Sequence, residues 1–339
     1  MSSTGVLLLN VGTPDAPDVR SVRDYLREFL SDPCVIDLPA WQRWLLLNLF
    51  ILPFRPKRSA AAYQQIWTDQ GSPLLIYSQQ LRDQLAHELG ASYQVAVGMR
   101  YGQPTIQSAV NFFQQQQCQR LILLPLFPQY SMAVTGSVLA ATLKCLAERQ
   151  YAPEVILHHS FYHHADYIHS LAQVIKENIV GFQADYFLFS FHGIPERQRI
   201  RSCFVTTCDD AKDCSPLEKN NAYCYRAQCY ATGHLVANAL SMNPSGYGVA
   251  FQSRVGRATW IKPYTTVCLT ELFQRGVRNI AVICPSFIVD CLETLEEMGI
   301  RGHEQWKMLG GREFKLIPAL NTHPQWIRAL ATIIKQKIS

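Results

Sequence analysis

His192 closes a strongly apolar run, Leu188-Phe189-Ser190-Phe191, and stands immediately before Gly193. An imidazole at the end of a buried strand can take up a proton near neutral pH or bind a metal through its neutral nitrogen. It can equally be a core histidine satisfied by one hydrogen bond. Asp290, Glu293 and Glu297 are spaced by three and then four residues, which in a helix sets three carboxylates on one face. Such a row can hold or conduct a divalent cation or relay protons, and carboxylate with imidazole suits Fe(II); the alternative is a solvated acidic face. Glu296 falls off that face and is expected in solvent.

Two further groupings stand out. Cys203, Cys208, Cys214, Cys224 and Cys229 lie in one polar segment, more thiols than chance placement gives. Core burial does not explain Cys214, since residues 209–221 have almost no apolar side chains. The spacings lack the paired C-x-x-C of common zinc sites, whereas an iron–sulfur cluster needs four thiolates and tolerates irregular spacing. A polar loop with incidental thiols is the other reading. Trp41, Trp44, Leu45, Leu46, Leu47, Leu49 and Phe50 form one apolar stretch, followed by Arg55, Lys57 and Arg58. This is either a core helix with a basic loop or an apolar lip that touches a membrane or a greasy ligand, its basic residues meeting carboxylates or lipid head groups.

The elements that must position these residues alternate throughout. Apolar runs at 5–11, 95–97, 121–127, 155–157, 186–191, 248–251 and 280–284 read as strands, and helical patterns separate most of them. Val22, Tyr25, Leu26, Phe29 and Leu30 repeat at helical spacing, as do Trp326, Ile327, Leu330, Ile333 and Ile334. Residues 289–298 follow a strand and should be helical. Strands buried on both faces and alternating with helices imply an α/β fold with parallel sheets. An internal echo is visible: Leu7-Leu8-Leu9-Asn10-Val11-Gly12-Thr13-Pro14 matches Leu188-Phe189-Ser190-Phe191-His192-Gly193-Ile194-Pro195, each an apolar strand followed by Gly-x-Pro. We therefore expect two similar doubly wound, Rossmann-like domains, residues 1–150 and 151–319, with a C-terminal helix at about 320–339 packing back on the first. Ligands in such sheets bind beyond the carboxyl ends of the strands, here at 10–14, 100–101, 128–131, 192–195, 252–260 and 287–297. No G-x-G-x-x-G follows any strand, so no nucleotide cofactor is expected.

Composition sets outer limits. The 339 residues are 48% hydrophobic and 17% charged, enough for a large core. The net charge of +5 is spread thinly, with no Lys/Arg block of the kind that binds nucleic acid. The first residues lack a basic region and a cleavage site, and no apolar run is long enough to span a bilayer, so a cytoplasmic protein is expected. Eleven cysteines in that reducing compartment argue against a disulfide framework.

Taken in order, several segments resemble the ferrochelatase family along nearly the whole chain. They are Leu9-Asn10-Val11-Gly12-Thr13-Pro14-Asp15, Gly71-Ser72-Pro73, Met99-Arg100-Tyr101-Gly102, Pro128-Gln129-Tyr130-Ser131 and Ser190-Phe191-His192-Gly193-Ile194-Pro195, followed by Phe251-Gln252-Ser253-Arg254-Val255-Gly256, Trp260-Ile261-Lys262-Pro263-Tyr264-Thr265 and Asp290-Cys291-Leu292-Glu293-Thr294-Leu295-Glu296-Glu297. The resemblance implies a chelatase-like fold whose two domains clasp a porphyrin, and insertion of ferrous iron, as substrate, into protoporphyrin IX to give protohaem with release of two protons, the last step of haem biosynthesis. It implies His192 and Glu293 as the catalytic and metal-binding pair, the imidazole taking pyrrole protons, ligating iron or both. Asp290 and Glu297 become an acidic relay to solvent, and Val11, Tyr63, Ser72, Arg100, Tyr130, Trp260 and Phe287 the porphyrin pocket. The stretch at 41–50 matches the family's pocket lip, with peripheral membrane contact in prospect.

Departures from the family carry information. Cys291 stands where the family often has histidine, Met132 stands where the animal enzymes place a cluster cysteine, and no cysteine follows Cys291. An animal-type cluster is thus excluded. Residues 203–229 instead resemble the internal segment on which some bacterial members hold a two-iron two-sulfur cluster, with four of the five thiols as ligands. A coproporphyrin substrate, a cobalt or nickel chelatase, and a non-catalytic tetrapyrrole-binding protein are the competing readings. Oligomeric state is not legible.

Overall fold

The computed structural model describes residues 4–202, 221–254, 256 and 258–336. Its eight strands form two four-stranded sheets. The first contains β1 (Thr4–Gly12), β2 (Tyr93–Tyr101), β3 (Arg120–Pro125) and β4 (Glu154–Leu157), in the order β2-β1-β3-β4. The second contains β5 (Tyr186–His192), β6 (Tyr247–Gln252), β7 (Asn279–Ile283) and β8 (Glu313–Leu316), in the order β6-β5-β7-β8. Every pairing is parallel. The two orders are the same, and the echoing segments are β1 and β5, each the second strand of its sheet. This is the expected α/β class, with helices covering both faces, which is why β1 is buried at every residue from Thr4 to Asn10.

The chain divides into two compact units: Met1–Phe127 with Ser131–Ser160 and Ile327–Ser339, and Pro128–Tyr130 with Phe161–Trp326. In the first, Leu7, Leu9, Leu121 and Leu123 pack with Ile106, Val110, Phe113 and Val138 from the covering helices. In the second, Leu188, Ala250, Ile280 and Val282 pack with Leu269, Leu272, Met298 and Trp306. The sequence pattern missed β8: four residues long, with Glu313 and Lys315 among them, it has too few apolar positions to register.

At the carboxyl ends of β1 and β2 the backbones approach closely. Gly12 has φ +106°, and a Cβ there would collide with the Tyr101 carbonyl; only glycine is tolerated. Beside it a buried network fixes the end of β2. Arg100 donates to Asp32 at 2.6 Å and to Ser137 at 2.7 Å. Tyr101 and Ser137 donate to the same Asp32 oxygen at 2.9 and 2.6 Å, and the Cys34 N–H donates to the other oxygen at 2.7 Å. Burial works to raise the Asp32 carboxyl; the hydrogen bonds from Ser137, Cys34 and Tyr101 and the Arg100 charge outweigh it and hold its pKa below the ordinary value.

Asp32→Ala is therefore expected to cost about 3 kcal/mol at neutral pH, because it strands a partly buried guanidinium, and urea unfolding reads this directly. A carboxylate with a depressed folded pKa contributes stability above its unfolded value of about 3.9, lost as pH falls through the folded value. The gap between native and variant should thus narrow below about pH 4; an undiminished gap in acid would contradict an ionised Asp32.

Candidate active site

His192 is the last residue of β5 and is half-buried. Its Nδ1 lies 2.5 Å from the Gly193 carbonyl oxygen. A carbonyl can only accept, so Nδ1 carries a proton, and in the neutral imidazole Nε2 is then the nitrogen with the lone pair. The backbone around the ring is held as well: Tyr225 donates to the His192 carbonyl at 2.7 Å, and the His192 N–H donates to Ser286 Oγ at 3.3 Å. The ring stands between two aromatic walls, Trp260 at 6.4 Å and Phe287 at 6.2 Å between centroids.

The acidic row differs from its expected form. The helix is π-helical and runs Glu293–Gly302, so Asp290 precedes it and does not share its face. The Asp290 carboxylate is buried and already holds the Thr294 hydroxyl at 2.8 Å, the Asn321 amide at 2.7 Å and the Ala319 N–H at 3.2 Å. It ties the helix entry to the loop after β8. Glu296, expected in solvent, is buried instead and makes a two-pronged ion pair with Arg301 at 2.8 and 2.9 Å. The wider turn of a π-helix carries this side chain round to protein. Glu293 and Glu297 are half-buried on the first turn. Glu297 accepts from the Ser253 N–H at 2.8 Å and from its hydroxyl at 2.6 Å. Ser253 adopts φ +66°, a left-handed conformation that non-glycine residues avoid and that active sites often retain.

Gln252 brings the two parts together. It is the register partner of His192 across β5 and β6. Its carbonyl accepts from the Gly193 N–H at 2.9 Å, and its side-chain amide donates to the Glu293 carbonyl at 2.9 Å and to Glu297 at 3.4 Å.

The pocket candidates fall in both units. In the second, Trp260 forms a bridge with Pro195, and Tyr130 is held by its N–H donating to Gln228 at 2.7 Å. In the first, Val11 lies beside Arg100 at the ends of β1 and β2, and Ser72 accepts from Thr13 at 2.8 Å. Tyr63 is mostly buried and meets Trp67 edge-on at 6.1 Å. Arg100 commits two of its nitrogens to Asp32 and Ser137, so any anion it anchors meets a guanidinium already paired within its own unit.

Cys203, Cys208 and Cys214 lie outside the described residues. Cys224 caps the N-terminus of the helix Tyr225–Ala239, and Cys229 is fully buried one turn on, against the Tyr225 hydroxyl. Cys291 is buried beside Glu293; burial first, then the Glu293 charge, push its thiol well above the usual range. Among the described residues no group of three or more His, Cys, Asp or Glu side chains is gathered as a closed metal cage.

The apolar stretch is not a core helix. Trp41 is 64% exposed, Trp44 61% and Phe50 67%, with Phe54 beyond them at 74%; only Leu47 and Leu52 are buried. No helix among the described residues is long and apolar enough to cross a membrane.

Several residues that build the site escaped the sequence reading. Gln252 and Ser253 were seen as part of a loop tip and of a family-like segment and were given no role, although a polar pair closing a buried strand is itself a signal that it must bond something. Tyr225, Ser286 and Asn321 carried no local signal, because their partners are distant in sequence.

Comparison with known proteins follows the same lines. The family model described as Ferrochelatase matches residues 3–338. The protein named Ferrochelatase from Coxiella burnetii (strain Dugway 5J108-111) is 51% identical over 335 residues, covering 98% of this chain and 94% of its own. Its namesake from Legionella pneumophila (strain Paris) is 49% identical over 336 residues, covering 98% and 99%. Among solved structures, SirB from Bacillus subtilis with Fe3+ aligns with a TM-score of 0.54 at 9% identity, over 99% of this chain and 95% of that one. CbiX, described as the terminal enzyme for siroheme biosynthesis in denitrifying bacteria, aligns with a TM-score of 0.51 at 9% identity, over 99% and 100%. At such identities these two bear on the fold, which is the chelatase-like one. A match over nearly the full length, with relatives identical at about half of all positions, establishes that this chain belongs to the ferrochelatase family.

Proposed function

We propose that the chain inserts ferrous iron into protoporphyrin IX, forming protohaem and two protons, with His192 and Glu293 at the reacting centre. The observation that carries this reading is the His192 ring itself. Its Nδ1–H is spent on the Gly193 carbonyl, so Nε2 offers a lone pair between Trp260 and Phe287. Insertion removes two protons from the pyrrole nitrogens, and a base must receive them beside the metal. His192 Nε2 takes one, and Glu293, on a helix tied to the same strand end through Gln252, takes the other or steadies the incoming cation. Glu297 lies one turn further along and hands protons on toward solvent; Asp290 serves as the helix anchor described above. A substrate metal that leaves in the product has no need of a closed cage. In the second unit Trp260, Phe287 and Tyr130 meet a flat apolar macrocycle, and a wall that bends the ring exposes its nitrogen lone pairs and favours the transition state; Val11, Tyr63, Ser72 and Arg100 are the porphyrin-binding candidates of the first unit.

Two finer features accompany the reading. The exposed aromatic stretch at 41–50 meets the surface of a membrane from the cytoplasmic side, where porphyrin partitions. Four of Cys203, Cys208, Cys214, Cys224 and Cys229 hold a two-iron two-sulfur cluster. Cys224, at a helix N-terminus where a thiolate is favoured, and Cys229, buried five residues further along, are the two candidate ligands among the described residues. Such a cluster supplies one-electron redox sensitivity and takes no part in the insertion step.

His192→Ala should lower kcat by a factor of roughly 10² or more, the usual worth of a positioned base, while porphyrin binding followed by fluorescence persists. Normal turnover by that variant would remove His192 from the mechanism. Steady-state insertion with protoporphyrin and coproporphyrin side by side should favour the former, and a reversed preference would reassign the substrate. Replacing Trp41, Trp44 and Phe50 together by Ser should reduce sedimentation with anionic vesicles more than tenfold, given roughly 1.5–3 kcal/mol per buried large side chain; equal sedimentation would place membrane contact elsewhere. Anaerobically purified protein should be brown, with iron and sulfide near two atoms each per chain. Colourless, iron-free protein would refute the cluster.

A further inference from the structure

Gln252 makes more directed contacts within the site than any residue discussed above, and it touches none of the reacting atoms. Its side chain is almost fully buried. Its Oε1 accepts from the Ser190 hydroxyl at 2.6 Å and from the Cys284 thiol at 3.5 Å. Ser190 lies 2.8 Å from the Thr265 hydroxyl, which, with the Ser190 proton spent on Gln252, must be the donor. The amide orientation follows: two donors face one end, so the NH2 points the other way, to the Glu293 carbonyl at 2.9 Å and the Glu297 carboxylate at 3.4 Å. The result is a one-way chain, Thr265 to Ser190 to Gln252 to the acidic helix, in which each bond polarises the next. On its backbone side, the same residue accepts the Gly193 N–H at 2.9 Å, and Gly193 is the residue whose carbonyl fixes the His192 tautomer.

We propose that Gln252 is a positioning residue for metal insertion: through its amide it sets the first turn of the π-helix, and hence Glu293, at a fixed distance from the imidazole of its strand partner His192. The proposal rests on the reading above that Glu293 meets the incoming metal. A π-helical first turn is rare and needs outside support. Gln252 gives that support at the Glu293 carbonyl itself, and Ser253 gives it at Glu297. Without the amide the turn is free to relax, and the carboxylate moves relative to Nε2 while the porphyrin walls, Trp260 and Phe287, stay where other elements hold them.

Gln252→Met keeps the volume and removes both amide donors and the acceptor. The expected result is a KM for ferrous iron raised at least tenfold and a lower kcat, with porphyrin affinity by fluorescence titration within twofold of native. Ser190→Ala leaves Gln252 in place and frees its Oε1; it should move the iron KM in the same direction by less. The double variant should be no worse than Gln252→Met alone, because the two act in one chain. An unchanged iron KM in both single variants overturns the proposal. So does a loss in which iron KM, porphyrin affinity and melting temperature all shift together, which marks a purely structural role. If Gln252→Met does not fold, Ser190→Ala decides by the same criteria. Glu293→Gln belongs in the same panel: normal turnover there overturns the underlying assignment of Glu293, whereas its loss beside an unaffected Gln252→Met overturns only the present inference.

Discussion

Polar groups that end a buried parallel strand have no further ladder to join, and leaving them unsatisfied costs about as much as one or more hydrogen bonds each. That constraint organises the carboxyl end of the β5–β6 pair. His192 and Gln252 arrive there side by side because the register makes them partners. Neither has a neighbouring strand to absorb its side chain. Gln252 is satisfied at every polar atom by Ser190, Glu293, Glu297 and Gly193. His192 is satisfied only at Nδ1. Its ring lies 6.4 Å from Trp260 and 6.2 Å from Phe287, between centroids.

The acidic helix answers the same constraint from the other side. An ordinary α-helix beginning at Asp290 would stack three carboxylates on one stripe, with mutual repulsion and no counter-charge. Instead Asp290 drops out of the stripe to bind Thr294, Asn321 and Ala319, and Glu296 is turned inward to Arg301. Glu297 turns its carboxylate to Gln252 and Ser253, while Glu293 meets Gln252 through its backbone carbonyl. The wide turn thus sets apart two acids that are bonded away from the one whose carboxylate reaches the strand end, with Thr294 bonded to Asp290 as the peg at the helix entry.

What the sequence reveals and what it hides divide along physical lines. Strands buried on both faces announce themselves as apolar runs, so β1, β3 and β5 and the parallel α/β class were legible, and so was the duplication, because the β1 and β5 segments repeat the same apolar run with Gly-x-Pro. Exposure of Trp41 and Phe50 was not legible: an apolar stretch looks alike whether its cover is core or solvent. The placement of Asp290 and Glu296 was misjudged because a spacing rule assumes 3.6 residues per turn, and nothing local signals the change to a π-helix; the Gln252 amide that bonds its first residue lies 41 residues upstream of Glu293. The Arg100–Asp32 pair is 68 residues apart and equally silent.

The duplication allows one last step. By the sequence echo, Val11 of β1 corresponds to His192 of β5. The strand neighbours of these residues are Arg100 at the end of β2 and Gln252 at the end of β6, in sheets of identical order. In both units the residue on the neighbouring strand reaches an acidic side chain and a serine hydroxyl: Arg100 holds Asp32 and Ser137, and Gln252 holds Glu297 and Ser190. In the first unit the clamp is a full ion pair and its partner position is an inert valine, so the strand end is closed electrostatically and can only present surface. In the second the clamp is a neutral amide, which orients a carboxylate without cancelling its charge, and the partner position is a histidine with a nitrogen to spare. The same backbone solution therefore ends in a valine whose strand neighbour holds an ion pair in one half, and in a histidine whose strand neighbour holds a carboxylate through an amide in the other. The difference comes down to two substitutions at one strand end, valine against histidine and arginine against glutamine.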